Sequence, residues 1–408
     1  MNPWPVVTAC LRRFRWTAAA FTFLVAAGVS LAVALVSQER ALRTGSARAA
    51  DRFDLIVAAP GSQTDALLTS VFLRPGAPRL LAPEVTTRLL NDRSASFVAP
   101  LAFGDSYRGA PIVGTTAALI AHLSNGLAEG RVFAARTEAV VGAASRLDVG
   151  TTFRAVHGVH DDEDHEAESE ANLHEHGATI TVVGRMKPTG SPWDRAIAVP
   201  VELVWVLHSL PDGHAPGAET IGPPFAPERT PGIPAAVVRP ESIATAYRLR
   251  SAYTTAESMA FFPAEALRSL YSVLGDMRRL MSLLALVTQA LVLLAIMASV
   301  LILFRLLSPQ FVTLRALGAP RRYIFAVAWG FTAFLVFVGT LLGVTGGYGL
   351  SFAISRWLAG ETGIALSPTI GSAETAIAAS VLAIGLALAT LPAWLMQRRS
   401  LAKALTDH

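Results

Sequence analysis

Trp16-Thr-Ala-Ala-Ala-Phe-Thr-Phe-Leu-Val-Ala-Ala-Gly-Val-Ser-Leu-Ala-Val-Ala-Leu-Val36 carries no charged side chain. Roughly 20 apolar residues at 1.5 Å rise per residue cover a hydrocarbon core of about 30 Å, so this run is long enough to cross a bilayer as a helix. No comparable run follows until residue 280, and then three come in succession, at 280–307, 324–350 and 373–396. The residues between the first run, 16–37, and the second are mixed in polarity. The pattern predicts a membrane protein with four transmembrane helices, one followed by three, and a large folded domain between the first and the second.

A secretory signal peptide is the rival reading of residues 16–37, because Arg12, Arg13 and Arg15 precede them and Ala47, Ala49 and Ala50 follow. The apolar stretch is longer than a usual signal core of about 7–15 residues, which favours a retained span. Val7-Thr-Ala-Cys10 imitates a lipoprotein cleavage box, but no apolar stretch precedes it, so Cys10 reads as incidental. Orientation follows from basic residues beside the spans. Arg12, Arg13 and Arg15 precede the first, Arg305 precedes and Arg315, Arg321 and Arg322 lie within residues 308–323, and Arg398, Arg399 and Lys403 lie in residues 397–408. One side for all three groups makes residues 1–15 and the tail cytosolic, and the domain and the loop 351–372 periplasmic. Arg278 and Arg279 fall on the opposite side and weaken this. The net charge of +4 concentrates at these membrane edges, which accounts for it without nucleic acid. One cysteine excludes an intramolecular disulfide, so the domain relies on an apolar core.

Within residues 38–262, short β-branched segments at 53–59, 95–99, 111–114, 151–156 and 179–183 read as strands. Residues 64–72, 117–124 and 201–208 have helical spacing, giving an α+β domain. Residues 211–234 are rich in proline and glycine and read as an exposed loop, followed by a strand at 235–239 and a short helix within 240–253. From Pro263, the spacing of Ala264, Leu267, Leu270, Tyr271, Leu274 and Met277 predicts a helical stalk over 263–279 that runs into the second span.

Five of the nine histidines, His157, His160, His165, His174 and His176, fall in one segment with eight acids. Imidazole and carboxylate together suit capture of zinc or another divalent metal. The spacing matches no fixed site, with no HExxH and no paired cysteines. The alternative is a solvated acidic insertion between two strands.

The spans hold almost no ionisable residue, and Thr288 and Gln289 are the main polar interruptions of the second. Gly339, Gly343 and Gly347 recur every four residues in the third, a small-residue stripe for close helix packing, either within the chain or with a second copy. Between the second and third spans, Phe311 to Leu317 reads as helical, with Gly318 as its stop.

Thr313-Leu-Arg-Ala-Leu-Gly-Ala319, followed by Arg321-Arg322, resembles the coupling segment of the FtsX/MacB/LolE permeases, the type VII ABC transporters, whose one-plus-three layout is the one read above. Val149 to Phe153 and Val182 to Gly184 are similar to paired strands of the MacB-like periplasmic core domain. Phe53 to Phe72, Gly104 to Gly109, Val113 to Thr116 and Lys187 to Arg195 resemble a branch of these permeases associated with zinc-responsive operons. The resemblance implies a permease subunit in a bacterial inner membrane that couples a partner's ATP hydrolysis to periplasmic export, extraction or mechanotransmission. On it, Phe311, Thr313, Leu314, Arg315, Ala316, Leu317, Gly318, Arg321 and Arg322 dock on a cytosolic ABC ATPase subunit. It further implies a homodimer or paired permease in membrane lipid, and a periplasmic adaptor or metal-binding protein. ATP comes only through the partner: Lys187 and Lys403 are the only lysines and neither follows glycine, so there is no P-loop and no enzyme activity is expected. The competing reading is a membrane-anchored metal-binding or sensory receptor that no ATPase drives. A membrane-bound hydrolase lacks both a G-x-S-x-G elbow and HExxH.

Overall fold

The computed structural model describes residues 2–157, 175–273 and 318–398, together with 275, 279–280, 283–284, 286–291, 293–294, 297–298 and 313–314. Its contacts fall into a domain unit, Arg43–Leu274 with Leu358–Ala365, and a helical unit, Met1–Leu42, Gly275–Trp357 and Leu366–His408. The first helices are α1 (Trp4–Arg13) and α2 (Arg15–Ala50), separated at Phe14.

The domain unit continues with β1 (Leu55–Ala58), α3 (Gln63–Ser70), α4 (Pro83–Leu90), β2 (Ala95–Tyr107), β3 (Ala110–Thr115), α5 (Ala117–Ser124), β4 (Leu127–Gly130) and β5 (Glu138–Val141). Then come β6 (Thr152–His157), β7 (Glu175–Met186), β8 (Ile197–Pro200), α6 (Val201–Leu207), β9 (Ala235–Pro240), α7 (Ile243–Ala252), β10 (Met259–Phe261) and α8 (Pro263–Val273). Ten strands form one mixed sheet in the order β10-β1-β9-β2-β3-β8-β5-β7-β4, with β6 pairing β2 and β7. Only β3 with β8 and β5 with β7 run parallel. The sheet is longer than the six expected strands because β4, β5, β8 and β10 have only three or four residues each, too few to show a period.

Strand alternation builds two cores, since successive side chains leave opposite faces. Leu55, Val57, Val98, Ala236 and Val238 enter one core with Val85 and Leu89 of α4, Val204 and Trp205 of α6 and Leu249 of α7. Ile56, Ala99, Leu101, Val113 and Val237 enter the other with Leu67 of α3, Leu119 and Ile120 of α5 and Leu267 of α8. Each such aliphatic side chain contributes about 1.5–3 kcal/mol on full burial, which sustains the domain without a disulfide. Local signals fix the helix starts: the Ser62 hydroxyl accepts from Asp65 N and the Ser242 hydroxyl from Thr245 N, both at 3.1 Å.

Residues 211–234 correct the expectation of an exposed loop. They hold no strand or α-helix, yet Gly213, His214, Phe225, Thr230 and Ile233 are buried. The Glu202 carboxylate lies 3.2 Å from His214 Nε2 and accepts from Gly222 N at 2.5 Å, and Phe225 packs edge-on to Trp205. Proline and glycine set the chain path here, but buried side chains pin it to α6.

In the helical unit, α2 is joined by α9 (Arg321–Thr362) and α10 (Ser372–Arg398). Among the described residues, three stretches are long and apolar enough to cross a membrane: α2, α9 and residues Ser372–Thr390 of α10. Most of 280–307 lies outside the described residues. At 36 and 42 residues, α2 and α9 are about 54 and 63 Å long, well beyond the ~30 Å of a hydrocarbon core. Helix α9 thus continues past Leu350 into a stretch read from the sequence as loop, because residues 351–362 include Trp357 and Leu358 and no proline. The chain is a membrane protein with a large α+β domain.

Candidate coupling site

Thr313 and Leu314 are helical, and Ala319 N donates to Leu314 O at 3.0 Å, the bond that closes a helix C-terminus. Gly318 has φ +92°, a left-handed conformation that a side chain would strain. Pro320 then opens α9, its carbonyl accepting from Tyr323 N at 2.9 Å. Leu314 packs on an apolar cluster that includes Val7, Cys10, Ile324, Val327 and Phe331. Thr313, Gly318, Pro320, Arg321 and Arg322 are exposed. One apolar residue therefore anchors the segment, and Arg321 and Arg322 are exposed beside it. Phe311, Arg315, Ala316 and Leu317 lie outside the described residues.

Gly339, Gly343 and Gly347 face α2. A Cβ at these positions would lie 2.8 Å from Val25 Cβ, 2.6 Å from Val29 Cβ and 2.7 Å from Ser30 O. The three glycines thus let the α9 backbone lie directly on α2, with Val25, Val29 and Val33 buried in the seam. The partner register advances in step, 25 to 339, 29 to 343 and 33 to 347, so the two helices run parallel. The stripe is used inside the chain.

Farther along the same seam the contacts become polar. Ser351 Oγ donates to Ser37 Oγ at 3.2 Å and Ser355 Oγ to Gln38 Oε1 at 3.1 Å. Arg40 Nη2 pairs with Glu374 Oε2 at 2.8 Å, Gly371 N donates to the same oxygen at 2.9 Å, and the Glu374 side chain has no accessible surface. The pair ties α2 to the start of α10. Sequence reasoning missed it because the partners stand 334 positions apart.

In the domain unit, Asp194 accepts from Thr189 N, Thr189 Oγ1 and Gly190 N at 2.7–2.8 Å, bracing a turn whose Trp193 is fully buried. Arg195 Nη1 donates to the carbonyls of Gly360, at 3.0 Å, and of Glu361, satisfying the end of α9. Ala365 N donates to Gly190 O at 3.1 Å.

His157 closes β6 and His176 lies near the start of β7, while His160, His165 and His174 fall outside the described residues. The register sets Val156 opposite Glu175 and His157 opposite Asp105 of β2. Among the described residues no group of three His, Cys, Asp or Glu is placed to hold a metal ion.

No curated protein matches the chain. Residues 282–402 match the family described as FtsX-like permease C-terminal, a range that contains the coupling segment, the glycine seam and α10. With the segment and the seam, that match makes the C-terminal part of the chain, residues 282–402, similar to the FtsX-like permeases of ABC transporters.

Proposed function

We propose that this chain is a permease that works with a separate cytosolic ATPase subunit and turns ATP hydrolysis into movement of the large domain on the far side of a bacterial inner membrane. The observation that carries the reading is the segment Thr313–Arg322, anchored by Leu314 and exposing Thr313, Arg321 and Arg322. The absence of any Gly-Lys-Ser/Thr sequence supports an ATPase on another chain. The four-span count, the periplasmic placement of the domain and its reading as a MacB-like core belong to the same proposal. So does pairing with a second permease subunit. Pull-down of the solubilised chain should bring an ABC ATPase, and adding the chain should change that ATPase's rate. The charge reversal Arg321→Glu with Arg322→Glu should abolish both effects. Recovery of no ATPase, together with an unchanged rate, would sink the reading.

Metal handling is the second part of the proposal. Residues 157–176 concentrate five imidazoles and eight carboxylates on a segment whose two ends are held together by β6 and β7. Zinc titration of the full chain, beside a chain with 157–176 replaced by a Gly/Ser linker, decides it. Micromolar binding confined to the native chain supports zinc as ligand or cargo, and equal binding in both removes the link.

A further inference from the structure

The basic end of the helical unit carries a second surface, on helix α1. Helix α1 is two-faced: Val7 and Cys10 are buried in the cluster with Ile324, Val327 and Phe331, and the Tyr323 hydroxyl donates to Asn2 O at 3.3 Å. Its other side and its exit are exposed and basic, with Trp4, Arg12 and Arg13 followed at once by Arg15 and Trp16. The Arg15 guanidinium lies 5.6 Å from the Trp16 ring centroid.

The helix register gives the depth of this surface. Because α2 and α9 run parallel with a constant offset of 314 positions between facing residues, 25 with 339 and 29 with 343, Trp16 stands level with Gly330. A Cβ on Gly330 would lie 3.8 Å from Val7. Helix α1 therefore lies at the level where the apolar run begins, which is the headgroup layer of a bilayer. Exposed tryptophans and a basic amphipathic helix are the groups that prefer that layer.

The charge at this end is predominantly basic, with Asp407 of the tail as the one acid among residues 1–38, 281–360 and 397–408. No Asp or Glu occurs before Glu39, and none between Met281 and Gly360. Arg12, Arg13, Arg15, Arg321 and Arg322 are all exposed, and among the described residues none of them forms a salt bridge. We infer that α1 and the turn to α2, through Arg12, Arg13 and Arg15 with Trp4 and Trp16, form a binding site for the headgroup of an anionic phospholipid. Guanidinium groups supply the anion selectivity by pairing with phosphate oxygens, and the indoles hold the helix in the interface. The two exposed tryptophans at this depth favour a lipid over an acidic protein as occupant.

The test is native mass spectrometry of the full chain in neutral detergent, titrated with phosphatidylglycerol or with phosphatidylcholine. The native chain should bind the anionic lipid at least about tenfold more tightly, and each arginine removed should cost roughly fivefold of that affinity. The triple variant Arg12→Gln, Arg13→Gln, Arg15→Gln should then lose the preference, and the triple Arg→Lys variant should keep it. Equal affinity of the native chain for the two lipids overturns the inference, whatever the variants do. So does a preference that survives the glutamine variant, and so does a glutamine variant that loses only ATPase binding, which would assign the arginines to a protein partner. The native comparison and the lysine variant decide the matter even if the glutamine variant does not fold.

Discussion

Replacing Gly343 by alanine puts one methyl group into the tightest point of the seam between α2 and α9. The added carbon would sit 2.6 Å from Val29 Cβ, 2.8 Å from Ala26 O and 2.9 Å from Val29 Cγ1. Carbon atoms settle at about 3.5–4.0 Å, so the helices must part locally by about 1 Å. A gap of that size forfeits a quarter to a half of each facing contact, and each contact is worth about 0.1–0.2 kcal/mol. With about ten facing contacts for each of Val25, Val29 and Val33, the loss is about 1.5 kcal/mol, inside the ~1–3 kcal/mol of overpacked interiors. Gly349 lies on the same helix with nothing within 4 Å of its Cβ position. Gly349→Ala should therefore be neutral or gain up to ~1 kcal/mol of helix propensity. The assay is unfolding of the full chain in mixed micelles of increasing SDS content, followed by tryptophan fluorescence. A Gly343→Ala midpoint at or above the native one, or equal losses from the two substitutions, refutes the seam.

Two further outcomes follow from ion pairs. Arg40→Met strands the buried Glu374 carboxylate and should cost about 3–5 kcal/mol, whereas Arg40→Met with Glu374→Met should cost less than Arg40→Met alone; a double variant less stable than that single one rejects the pair as the cause. In the domain, hydrogen bonds from the Arg131 guanidinium, aided by Ala134 N and Ala135 N, lower the Glu138 carboxyl from its ordinary 4.5 to about 2. A pKa lowered on folding stabilises the protein fully above about 4.5, and that stability is lost as pH falls from there toward 2. Glu138→Gln should lower stability at neutral pH and flatten the profile between those values, as read by thermal unfolding against pH; a variant with the native acid profile contradicts the assignment.

The elements legible in the sequence are those whose signal is local. The apolar runs of α2, α9 and α10 show as absence of charge, β1, β3 and β9 as β-branched runs beside glycine or proline, α3 as helical spacing and α7 as a short helix after Pro240. The short strands β4, β5, β8 and β10 carry too few residues for a period, and their place in the sheet is set by neighbours distant in sequence. The helix end at Gly318 was legible, since glycine there marks a stop. That Leu314 anchors the coupling segment was not legible, because the cluster it enters is assembled from α1, α2 and α9.

By itself, the sequence determined four runs apolar and long enough for a membrane, a large α+β domain inserted after the first, and a predominantly basic charge at one end. Each of these depends on composition or period within a short window, which no distant contact can alter. Tertiary structure alone decided that the glycines of α9 meet the valines of α2. It also decided that Arg40 closes on Glu374, that residues 211–234 are pinned by His214 and Phe225, and that Arg195 holds the end of α9. Those choices turn on which surfaces come within van der Waals or hydrogen-bonding distance, and a one-dimensional pattern gives the capacity for a contact without its partner.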